Sequence, residues 1–65
     1  MEITTLDQVN AEDIIEIPVD GTDRIVKVEY LRTTRFGCEV GIRLGQLVYG
    51  WDHPQDTEVL ILERG

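Results

Sequence analysis

The chain is poor in the residues that carry covalent or metal chemistry. It has one cysteine, Cys38, and one histidine, His53, among 65 residues. A lone cysteine excludes an internal disulfide framework and points to a reducing compartment. Too few nitrogen and sulfur donors remain for a zinc site, even with Asp52 and Asp56 flanking His53. A nucleophile beside an oriented base is also missing, so no catalytic, metal-ligating or cofactor-binding residue and no small-molecule substrate is expected. No apolar run approaches the roughly 18 residues of a membrane span, and residues 1–5 lack the basic and apolar character of a secretory leader. The expectation is a cytoplasmic chain without membrane attachment.

Positive charge is scarce as well, with six Lys and Arg against thirteen Asp and Glu and a net charge of −7. Residues 1–23 hold seven acids and no base, whereas Arg24, Lys27, Arg32, Arg35 and Arg43 face only Glu29 and Glu39 across residues 24–43. Overall acidity disfavours non-specific nucleic-acid binding, because phosphate affinity rests on clustered cations. The middle segment is a local exception.

What the chain does have is alternation. Val26, Val28 and Tyr30 alternate with Lys27 and Glu29, and Cys38, Val40, Ile42 and Leu44 alternate with Glu39, Gly41 and Arg43. Period two marks a half-buried strand, since successive side chains leave a pleated backbone on opposite faces. Because both inward sets are even-numbered, the connection between them needs an odd-length loop or a bulge. One register sets Val26 opposite Val40 and Lys27 opposite Glu39.

Further strands are expected at Asp13–Val19, Leu47–Trp51 and Glu58–Glu63. Asp20-Gly21 and Gly45-Gln46 supply hairpin turns, and Pro54 stiffens a tight link. Thr5 and Gln8 fit a capping box opening a short helical turn. Sixty-five residues form a single domain near the lower size limit.

Five short strands joined by three hairpins and a single-turn link resemble the small SH3-like barrel over about residues 12–64. Val9-Asn10-Ala11-Glu12-Asp13-Ile14-Ile15 is similar to the lead-in of many such barrels, except that Glu12 stands where a Gly often precedes the Asp. The resemblance implies an all-β, five-stranded antiparallel barrel with a short N-terminal helical turn. This architecture hosts many unrelated functions.

Function therefore has to come from surfaces. Ile14, Val48, Leu60 and Leu62 fall opposite the core set, so three strands are apolar on both faces, a pattern of strands covered twice. A partner protein or a second copy in a homo-oligomer would supply the cover, unless tight barrel closure does so. Trp51, with Tyr49 or Tyr30, could form an aromatic shelf, although a large aromatic also suits a small core. The expected contact surface is Val48, Tyr49, Trp51, Leu60 and Leu62 in a non-catalytic protein-interaction module. The alternative is a nucleic-acid-associated barrel using Arg32, Arg35, Phe36 and Arg43 around one loop. Against it stands the plainer reading of that loop as a solvated turn.

Overall fold

A computed structural model describes residues 1–65. The alternating segments form an all-β fold of six antiparallel strands: β1 (Glu2–Thr5), β2 (Ile14–Val19), β3 (Thr22–Thr34), β4 (Gly37–Leu44), β5 (Leu47–His53) and β6 (Glu58–Glu63). They lie in one sheet in the order β1-β6-β2-β3-β4-β5. The sheet is not closed, and β1 and β5 are its two edges. The only helical element is a 3-10 turn at Leu6–Gln8, and no helix is long and apolar enough to cross a membrane.

The 13-residue strand β3 organises the sheet. Its first half pairs with β2 and its second half with β4. Asp20 and Gly21 both have positive φ (53° and 77°), as the tight turn between Val19 and Thr22 requires. The parity conflict between β3 and β4 is resolved by a bulge. Val28 faces Ile42, but Tyr30 faces Gly41, so one extra residue enters β3 between them.

After the bulge the inward set changes from even to odd. Leu31 packs against the core and Tyr30 turns outward. Tyr30 therefore leaves the inward set expected of it, and Val26 does not oppose Val40. Lys27 pairs with Glu12 at 3.0 Å, and Arg32 takes the place opposite Glu39.

Twelve apolar residues form the core: Leu6, Val9, Ile15, Ile17, Val19, Val26, Val28, Cys38, Val40, Ile42, Val59 and Ile61. One sheet face can be buried without a helical layer only when the sheet curls over itself, and here the Leu6–Val9 segment plugs one end. Leu6 N–H donates to the Thr57 carbonyl, which ties that plug to the link before β6. The expected capping box does not form. Thr5 is extended as the last residue of β1, and its hydroxyl donates to the Asp7 carboxylate instead. Strand β1 is an addition to the five strands expected. It pairs with β6 through Ile3 and Leu60.

Asp13 ties the turn before β2 to residues 64 and 65. Buried to 1% exposure, it accepts N–H donors from Asn10 (2.9 Å) and Gly65 (3.0 Å) and a guanidinium N–H from Arg64 (3.0 Å). Burial works to raise its pKa, but the Gly65 and Asn10 amides and the Arg64 charge outweigh burial. The carboxyl is held below its ordinary value.

Candidate functional site

Strand β5 pairs only with β4, through Leu44 opposite Leu47, Ile42 opposite Tyr49 and Val40 opposite Trp51. Directly opposed residues share a face, so Leu47, Tyr49 and Trp51 project on the core side of the sheet. Trp51 reaches the core and packs against it. Further along the hairpin the cover runs out, leaving Leu47 60%, Tyr49 41% and Leu44 38% exposed. Tyr49 and Trp51 are neighbours, with ring centroids 5.4 Å apart and planes tilted by 50°. Val48 lies on the other face and is also exposed.

The aromatic shelf therefore forms from Tyr49 and Trp51 without Tyr30. The Tyr30 ring lies on the opposite face over Gly41, where a Cβ would meet it at 2.0 Å. Its hydroxyl donates to Glu39, which also accepts from Arg32 at 2.7 Å. These two donors, Tyr30 first, hold the Glu39 carboxyl below its usual range. Glycine at position 41 is thus the floor for a tyrosine lid.

Leu60 and Leu62 do not join the β5 surface, because β2, β3 and β4 separate β6 from β5 in the sheet. They are half-buried on the outer face, where Leu60 lies between Ile3 and Glu16. A depression of about 220 Å³ opens beside Leu60, lined also by Ile3, Pro18 and Val59 together with Glu16, Asp23 and Glu58. The exposed side chain of Ile3 in this strip belongs to the unforeseen β1. The β-branched run Ile3-Thr4-Thr5 was its one sequence signal.

The arginine cluster is also redistributed. Arg32 and Thr33-Thr34 lie within β3, so the loop consists of Arg35 and Phe36 alone. Arg32 is paired with Glu39, and Arg43 with Glu29 at 2.6 Å. Arg35 has no carboxylate partner, and Phe36 is exposed at the hairpin tip. Two guanidinium groups on one loop tip, as the sequence suggested, do not occur.

Elsewhere, Cys38 is buried, and burial raises its thiol pKa. His53, opposite Cys38, has a buried Nε2 without a hydrogen-bond partner, and burial lowers its pKa. No three His, Cys, Asp or Glu side chains are grouped so that they could hold a metal ion. Comparisons with protein-family models, curated proteins and solved structures found no match to this chain.

Proposed function

We propose that this chain is a non-catalytic, SH3-like barrel module that acts through protein contacts, with the β5 edge as its contact surface. The carrying observation is a seven-residue edge strand, free along its outer side, whose Leu47, Val48 and Tyr49 are all exposed. An edge offers a partner strand a row of backbone donors and acceptors, and alternating side chains beside it add specificity. The barrel reading draws support from the run β6-β2-β3-β4-β5, in which the last strand returns beside the first of the five expected strands. Buried, unpaired Cys38 suits a reducing compartment such as the cytoplasm.

The nucleic-acid reading has less support, because Arg32 and Arg43 are already matched by carboxylates. Capture of proteins from an extract by the chain and by Leu47→Lys tests the contact surface. Proteins retained by the parent and lost with the variant support it, and identical retention by both overturns it.

A further inference from the structure

The two sheet edges are treated differently by the sequence. β1 has only four residues, and its Glu2 is held by Arg64. β5 has seven residues, with no lysine, proline or bulge, and its one charged residue is Asp52. Short length, charge, proline and bulges are the usual means of preventing edge-to-edge pairing. β5 lacks all of them over Leu47–Trp51.

The β4–β5 hairpin also sets which backbone groups are open. Leu44 and Leu47 flank a two-residue loop and form its closing hydrogen-bonded pair, so hydrogen-bonded and non-hydrogen-bonded pairs alternate from there. Val48, Gly50 and Asp52 consequently turn their N–H and C=O groups to the free edge.

We propose that the occupant of this edge is a second copy of the chain, paired antiparallel through β5 about a two-fold axis at Tyr49. The proposal rests on β5 being the contact surface and names its partner. In this register Leu47 faces the other copy's Trp51, Tyr49 faces its own equivalent, and Val48 and Gly50 exchange backbone hydrogen bonds across the axis. Asp52 falls opposite Gln46, so no charge is set against an apolar side chain. Both core faces lie on the same side of the joined sheet, and the exposed Leu47 and Tyr49 of each copy cover one another. An isologous contact of this kind closes on itself as a dimer.

Charge favours this edge over any other approach. Each copy carries −7, yet residues 43–51 contain no acid. Two copies meeting here keep most of their carboxylates apart. What repulsion remains is screened by salt, so association strengthens as ionic strength rises, the reverse of phosphate binding.

Sedimentation equilibrium from about 10 µM to 1 mM tests the proposal, a range suited to a small interface. The expected mass rises from 7.4 kDa to twice that value, and rises further at a given concentration when salt is added. Leu47→Lys, at an exposed position, remains monomeric with an unchanged dichroism spectrum. Tyr49→Cys, at a close non-hydrogen-bonded pair on the axis, forms a disulfide-linked dimer on mild oxidation.

A mass of 7.4 kDa throughout, or a dimer that survives Leu47→Lys, overturns the second-copy assignment. So does a dimer in which Tyr49→Cys fails to cross-link. If the chain is monomeric while extract capture still depends on Leu47, the contact-surface reading stands and only the identity of the partner is refuted.

Discussion

Glu12 adopts a positive φ of 77°, a conformation that costs a residue with a Cβ about 1–2 kcal/mol. It is held there by its N–H donating to the Val28 carbonyl, while Val28 N–H donates to the Asp13 carbonyl. These bonds fasten the lead-in to β3 beside the bulge. Glu12→Gly should therefore stabilise the fold by about 0.5–1 kcal/mol, even with loss of the exposed Lys27 pair, and a shift in the urea midpoint would show it. The sequence flagged this residue, because similar lead-ins often carry Gly at that place.

The role of Asp13 was not legible, since its partners Arg64 and Gly65 lie at the far end of the chain. Asp13→Asn should cost about 1–3 kcal/mol, because it removes charge from a buried acceptor. The folded-state pKa of Asp13 lies below the unfolded value of about 3.9. Its stabilising contribution is therefore complete above that pH and is lost as the pH falls through the folded value. Acid-unfolding curves of the parent and Asp13→Asn should differ most at neutral pH and converge in strong acid.

Among the elements, β2, β4, β5 and β6 were legible because each alternates or runs apolar between turn residues. The bulge was legible only as one of two ways to satisfy parity. Choosing between them required knowing that Arg35-Phe36 suffices to turn the chain. That tight turn places Gly37 against the next strand's exit: its φ is +140°, and a Cβ would lie 2.3 Å from the His53 carbonyl oxygen. Gly37→Ala should destabilise the domain by about 2 kcal/mol or more, since backbone must move on both sides of the contact. Thermal denaturation is a direct measure. β1 escaped notice because four residues with one exposed isoleucine carry too little period to read. The division of the apolar surface was hidden for a related reason: facing can be read along one strand, whereas strand order cannot.

Charge is a property of the whole molecule, and a sum of −7 says nothing of how the individual cations are matched. Four of the six cations, Lys27, Arg32, Arg43 and Arg64, are engaged by carboxylates. Arg24 and Arg35 are the remainder, one in β3 and one at the hairpin tip. A labelled single-stranded oligonucleotide should accordingly show no change in anisotropy with this protein even at about 50 mM salt. A clear rise would restore the arginine reading.

The position of β6 between β1 and β2 bears on how the protein is made. Strands β2 to β5 each pair with a neighbour in sequence and can zip up as they leave the ribosome, but β2 keeps one flank bare until β6 arrives. Val59 and Ile61 are also the last of the twelve core residues in chain order. The nascent domain thus stays unfinished, with its hydrophobic interior open to chaperones, until β6 has emerged.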